Sequence, residues 1–268
     1  MRICALGDLL LDVIVRVDEP IVPGADAVAT TRAGAGGQAA NVAAWVVALG
    51  GEGRFVGKRG DDAAGELASA ELQRRGVDVR GPVASGGNGI VVSLVDAAGE
   101  RTMLSDRGVA PRLRPDELER AWFADCDWLH LTGYSLLRSP IAEAAAAAAA
   151  MRGGRLSVDL SAWTAIREFG ADDFRARVAA LEPDAIFAND QEAAALGGDL
   201  PAPVCLIKHG AAGFEVHADG RRHVVEASGD AVDATGAGDA LAAGFLVGGA
   251  ELAADAARRC VSKLGAMP

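Results

Sequence analysis

Short apolar runs punctuated by glycine dominate the start of the chain. Arg2 to Leu6 is apolar and stops at Gly7-Asp8, the pattern of a buried strand closed by a turn. Val13 to Val17 and Ala27 to Ala33 are two further extended runs, separated by Pro20, Pro23 and Gly24. Gln38 to Leu49 carries helical spacing and ends at Gly50-Gly51. A strand follows at Arg54 to Val56, then an amphipathic helix at Asp62 to Arg75 that Gly76 ends. Gly89 to Val95 and Arg101 to Ser105 flank the turn Asp96-Ala-Ala-Gly-Glu100 and predict a hairpin.

The second half is more regular. Helices are predicted near 115–122, 139–151, 171–181, 190–196 and 237–263. Strands are predicted at 127–131, 155–159, 185–188, 203–207, 213–217 and 222–226. Such alternation implies an α/β fold with a mostly parallel sheet covered on both faces. The strands at 13–17 and 27–33 and the hairpin at 89–105 fall outside it. They are expected to form a small separate sheet, a lid built from two excursions at about 12–34 and 87–108. No linker or repeat interrupts the rest, so one domain over 1–268 is expected.

Composition narrows the function classes. Thirty-seven acidic residues face 26 basic ones, a formal net charge of −11, which argues against a duplex nucleic acid or anionic membrane as partner. Half the residues are hydrophobic, enough for a large core. Cys4, Cys126, Cys205 and Cys260 are far apart and form no C-x-x-C pair, the usage of buried thiols in a reducing compartment. The apolar N-terminus carries Asp8 and Asp12, unlike a secretory leader. Ile141 to Met151 is too short to span a bilayer and reads as an alanine-rich helix. A cytoplasmic protein is expected.

The stretch from Val232 to Phe245 holds the strongest chemical signal. Gly236-Ala237-Gly238 lets the backbone turn tightly and approach a ligand, and an apolar helix starts there. Free N–H groups on its first turn, with the helix dipole, favour a phosphate or a developing anion. Asp239 sits beside them, where a carboxylate can take a proton from an attacking hydroxyl. Amide cradle plus adjacent base is what phosphoryl transfer requires; an ordinary glycine-rich turn with a first-turn carboxylate is the bland alternative. A second constellation, Gly34-Ala-Gly-Gly-Gln-Ala-Ala-Asn41, opens the helix at Gln38. Gly36 and Gly37 allow close approach, and Asn41 can donate and accept. Asp8 and Asp12 follow the first strand, and a carboxylate can accept from two vicinal sugar hydroxyls.

Two motifs are decoys. Gly34-x-Gly36-x-x-Ala39 matches the loose dinucleotide fingerprint but follows the polar Ala29-Thr-Thr-Arg-Ala33 rather than a hydrophobic strand. Gly57-Lys58 is followed by Arg59 and lacks the glycine spacing of a P-loop.

Gly36-Gly-x-x-x-Asn41 early and Asp233-x-Thr-Gly-Ala-Gly-Asp239 late resemble, in order and separation, the two signatures of the PfkB carbohydrate kinases, the ribokinase-like family. Asn189-Asp-Gln-Glu192 resembles the family's N-x-x-E motif and Lys208-His-Gly-Ala-Ala-Gly213 its nucleotide-binding strand-turn. Gly7-Asp8 and Asp106-Arg107-Gly108 are similar to its substrate-side and lid-return segments. The resemblance covers essentially the whole chain.

It implies a three-layer α/β/α fold with a small β-sheet lid, and ATP-dependent phosphorylation of a sugar hydroxyl. Asp239 would be the base, and the amides of Gly236, Ala237 and Gly238 the anion hole. Asp8, Asp12, Gly36, Gly37, Asn41 and Arg107 would hold the acceptor. Asn189, Glu192, Lys208, Gly210 and Gly213 would meet the nucleotide, with Mg²⁺ organised by Asn189 and Glu192 through water. Asp233 and Thr235 match positions that hold a monovalent cation, K⁺, in some members. Gln38 stands where ribokinases usually show lysine. Arg101, Arg107 and Arg167 keep a carboxylate-bearing acceptor open. His130, Tyr134, Trp45 and Trp163 are candidate specificity groups, though core packing explains each. A nucleoside kinase, a non-catalytic sugar or nucleotide sensor and an oxidoreductase are the competing classes. A homodimer through exposed lid edges is a further expectation.

Overall fold

The computed structural model describes residues 1–227 and 231–268. Its strands, in chain order, are β1 (Arg2–Leu6), β2 (Leu10–Arg16), β3 (Thr30–Gly36), β4 (Glu52–Val56), β5 (Arg59–Gly60), β6 (Asp78–Arg80), β7 (Val83–Ala84), β8 (Asn88–Val95), β9 (Arg101–Gly108), β10 (Trp128–Thr132), β11 (Arg155–Asp159), β12 (Ala185–Asn189), β13 (Val204–Lys208), β14 (Phe214–Ala218) and β15 (Arg221–Val225). The helices are α1 (Gln38–Ala48), α2 (Ala63–Arg74), α3 (Ile141–Met151), α4 (Trp163–Phe169), α5 (Ala171–Ala180), α6 (Asp190–Ala195), α7 (Ala237–Gly248) and α8 (Ala250–Val261).

The main sheet runs β15-β14-β13-β12-β11-β10-β1-β4-β6. The pairs from β13 to β6 are parallel, and β14 and β15 add an antiparallel edge. Alternate residues of each strand face opposite layers, as the pleat requires. Ile3 and Ala5 join Trp128, Phe187 and Leu206 under α1, α7 and α8. Cys4 and Leu6 join Leu129, Leu131, Val158 and Ile186 under α3, α5 and α6. Both faces are therefore covered, which is why these strands read as apolar runs. β3-β2-β8-β9 form the expected second sheet, in which β2 pairs parallel with β8 and both outer pairs are antiparallel. Among the described residues no helix is long and apolar enough to cross a membrane.

Three sequence expectations need correction. Residues 115–122 are two 3₁₀ turns, Pro115–Glu117 and Arg120–Trp122, because Leu118 and Glu119 are extended between them. Leu118 and Trp122 pack on the α3 core from that broken path. The stretch 237–263 is two helices, because Gly249 at φ 82° breaks it. The early strands lie at 10–16 and 30–36 rather than 13–17 and 27–33, so β3 feeds almost directly into α1. The short helix α4 had no expectation.

Local chemistry accounts for the boundaries. Asp62 caps α2 by accepting from the Gly65 amide at 3.0 Å, and Gly76 at φ 85° follows its end. α7 and α8 pack as close antiparallel neighbours because Gly244 has no side chain: a Cβ there would fall 2.6 Å from both Ala253 Cα and the Leu252 carbonyl oxygen.

Candidate active site

Parallel strands place the chemistry. β1, β11, β12 and β13 all end on one edge of the main sheet, bringing Asp8, Asp159, Asn189 and Lys208 to it. The crevice outside the carboxyl ends of such strands is where α/β folds bind ligands. A cleft of about 800 Å³ opens there, lined by Asp159, Asn189, Glu192, Lys208, Gly210, Gly213 and the first turn of α7 among others. Gln38 and Ser161 also reach it.

Gly236 enters α7 in the left-handed region at φ 77°, and among the described residues no side chain caps the helix. The Ala237 amide turns back to the Ala234 carbonyl at 3.2 Å. Asp239 stands on the first turn. Asn41 Nδ2 donates to its Oδ2 at 2.8 Å, across 198 residues of sequence. Burial pushes the Asp239 carboxyl up to about 7; the bond from Asn41 opposes this and nearby Asp159 adds to it. Asn41 thus faces Asp239, and among the described residues its own Oδ1 is buried without a partner.

Lys208 Nζ pairs with Asp159 Oδ2 at 2.7 Å and lies 3.2 Å from where a Cβ on Gly238 would be. Burial works against its charge, but Asp159, Glu192 and Asp239 outweigh it and hold its pKa high. Asn189 and Glu192 form a capping box at α6. Asn189 Oδ1 accepts from the Glu192 amide at 2.9 Å and Glu192 Oε2 accepts from the Asn189 amide at 2.8 Å. Asn189 Nδ2 also donates to Glu192 Oε1 at 2.9 Å. Burial, with Asp159 nearby, pushes the Glu192 carboxyl up to about 7. Gly210 and Gly213 flank the turn after β13, both with positive φ.

Asp8, Asp12, Gly36, Gly37 and Arg107 gather next door. Gly37 sits at φ 98°, where a Cβ would fall 2.4 Å from the Asp8 carbonyl oxygen. A Cβ on Gly36 would fall 2.0 Å from Asp12 Oδ2. Only glycine admits that carboxyl, which burial pushes up to about 6. Arg107 grips Asp8 with two bonds, Nε to Oδ2 at 2.5 Å and Nη2 to Oδ1 at 2.9 Å. That fork ties β9 of the second sheet to the end of β1, and Tyr134 lies 5.7 Å from the guanidinium.

Other expectations resolve differently. Arg101 bonds Asp233 and Thr235, and Arg167 lies over Trp163. His130 and Trp45 are buried core groups, and burial lowers the His130 pKa to about 4. Sequence reasoning missed Asp159 as the partner of Lys208, though its place at the end of a parallel strand was a usable signal. It also missed Ser161. That residue sits at φ 71° with its hydroxyl on Gln38 Oε1 at 2.5 Å, and accepts from the Gly133 amide at 2.8 Å.

This fold and cleft are those of the ribokinase-like kinases. The structure of adenosine kinase from Sinorhizobium meliloti superposes with a TM-score of 0.87, covering 99% of this chain and 95% of that one at 27% identity. The ATP-dependent ribose-1-phosphate kinase of Halopiger xanaduensis is 36% identical over 258 residues, 92% of this chain and 84% of that relative. The fructokinase of Klebsiella pneumoniae is 34% identical over 239 residues, 80% of this chain and 76% of that enzyme. Residues 1–266 match the pfkB family carbohydrate kinases, and the chain belongs to that family. It is a sugar-kinase-type phosphotransferase.

Proposed function

We propose that this kinase moves the γ-phosphoryl group of Mg²⁺-ATP onto a hydroxyl of a ribose-like sugar or sugar phosphate. One observation carries the reaction: Asp239 sits on the first turn of α7, held by Asn41, facing a cleft that Lys208, Asp159 and Glu192 also line. With the acceptor in place, deprotonated Asp239 takes the hydroxyl proton. The freed oxygen attacks the γ-phosphorus as its bond to the β–γ bridging oxygen breaks. Charge on the moving group meets the Gly236 and Gly238 amides and Lys208, the Ala237 amide being turned to Ala234.

The donor set suits a divalent cation. Asp159, Glu192, Glu226 and Asp239 outnumber Lys208 and Arg258, so a bare polyphosphate would enter a cleft of its own sign. Asn189 and Glu192 would hold Mg²⁺ through water. When bound, the ion spreads the charge of the phosphate oxygens. Asp8, Asp12, Gly36 and Gly37 would hold the sugar, with Arg107 oriented by Asp8. β2, β3, β8 and β9 would act as the lid, in one continuous domain. β9 is an edge strand with Met103 and Leu104 exposed, a surface through which two copies would pair; a monomer mass by light scattering would remove that idea.

The relative at 36% identity favours a ribose phosphate acceptor. A nucleoside acceptor is the second reading, favoured by the likeness to the adenosine kinase structure. The test is ADP release from Mg²⁺-ATP with ribose 1-phosphate, ribose, fructose and adenosine in turn. One acceptor should give turnover that falls about 10²- to 10⁴-fold in Asp239→Asn with nucleotide binding retained. Tight nucleotide binding with no turnover on any acceptor would instead make the protein a sensor.

A further inference from the structure

Asp233 and Thr235 precede the α7 glycines and match a monovalent-cation position, but their oxygens are already spent. Asp233 Oδ1 accepts from the Thr235 amide at 2.9 Å and lies 3.1 Å from Arg101 Nη2. Asp233 Oδ2 accepts from the Gly265 amide at 2.9 Å. Arg101 Nη1 donates to the Thr235 hydroxyl, and the Cys260 thiol reaches the Thr235 carbonyl at 3.4 Å. The Asp233 side chain is 4% exposed and that of Arg101 23%. Burial opposes charge on Asp233, yet the two amides, the Thr235 hydroxyl and Arg101 hold its carboxyl below the usual range. A K⁺ ion needs several unshared oxygens, and a guanidinium fills that place. The residues do not fit the ion.

Taking the proposed anion hole as its frame, we infer that Arg101 of β9 is the built-in cation of the loop before α7: it holds Asp233 and Thr235, and through them Gly236–Gly238, without any monovalent ion. Arg101 is a positioning residue. Its guanidinium is fixed, planar and always charged, and forks across a carboxylate and a hydroxyl, which a hydrated ion in exchange with solvent does not do. Because Arg101 comes from the second sheet, the loop is fully ordered only when that sheet is down. A lid contact thereby organises the anion hole.

The test needs no turnover. Thermal unfolding of the wild type and of Arg101→Ala is followed in KCl, NaCl and tetramethylammonium chloride at equal ionic strength. The wild type should unfold at one temperature in all three salts. Arg101→Ala should unfold lower in tetramethylammonium and recover part of the loss with rising K⁺ or Na⁺, since a small ion can enter the vacated place. Arg101→Lys, which keeps the charge, should lose less and show no K⁺ response; it serves as the probe if the alanine variant does not fold. Where turnover is measurable, kcat of Arg101→Ala should fall about 10- to 100-fold and recover with K⁺, KM for the sugar changing little. A K⁺-dependent shift in the wild type, a loss in Arg101→Ala that no ion restores, or a K⁺ response in Arg101→Lys would each overturn the assignment. Absence of turnover with the salt pattern intact would count against the kinase reading alone.

Discussion

At the residue scale, the site is set by carboxylates kept short of positive partners. Asp239 and Glu192 each titrate near 7 because burial disfavours their charge, and Lys208 is shared with Asp159. For Asp239 the folded pKa lies above the unfolded value of 3.8. Its protonated form therefore supports the fold below that value, and the support is lost as pH rises through about 7. Asp239→Asn should raise the unfolding temperature at pH 8 relative to wild type, with the gap closing toward pH 4. The wild-type kcat/KM should climb through pH 7 as the base ionises. Equal unfolding temperatures at pH 8 would show that Asp239 is not held against its charge. Asp239 and its glycines were legible in the sequence because they are contiguous. Asn41 as its partner was not, since the bond spans 198 residues and only the fold closes it.

At the scale of elements, competing signs can be weighed at Gly244. Alanine is favoured over glycine in a helix by about 1 kcal/mol. Here the added methyl would meet Ala253 Cα and the Leu252 carbonyl oxygen at 2.6 Å, and backbone cannot swing aside as a side-chain tip can. Overpacking of that kind costs about 1–3 kcal/mol and should win. Gly244→Ala should lower the urea midpoint without changing the slope; a raised midpoint would mean α7 and α8 can part freely. The α7–α8 boundary shows where sequence reading stops. Apolar spacing continues on both sides of Gly248-Gly249, and only the positive φ of Gly249 turns the second helix back on the first. Residues 115–122 erred for the opposite reason. Leu118 and Trp122 sit at helical spacing, yet Leu118 reaches the core from the extended break and Trp122 from the 3₁₀ turn after it.

At the scale of the whole molecule, the second sheet is joined to the main one by side chains as well as by chain. Its two excursions were legible because their strands did not fit the βα alternation, but their neighbours across the cleft were not. If the sheet closes over bound ligands, hydrogen exchange in β2, β3, β8 and β9 should slow when acceptor and nucleotide are added together, with β10 to β12 unchanged. Equal rates in all of them would mean a rigid roof. Within that sheet β9 is clasped near both ends, by Arg107 to Asp8 and by Arg101 to Asp233. A strand fastened at two points can come loose at one while the other holds. Parting at Arg101 would open the nucleotide side with the acceptor still covered; parting at Arg107 would do the reverse. Should the sheet open, the weaker of the two clasps would decide which product leaves first, and the order of departure would follow from two arginines six residues apart on one strand.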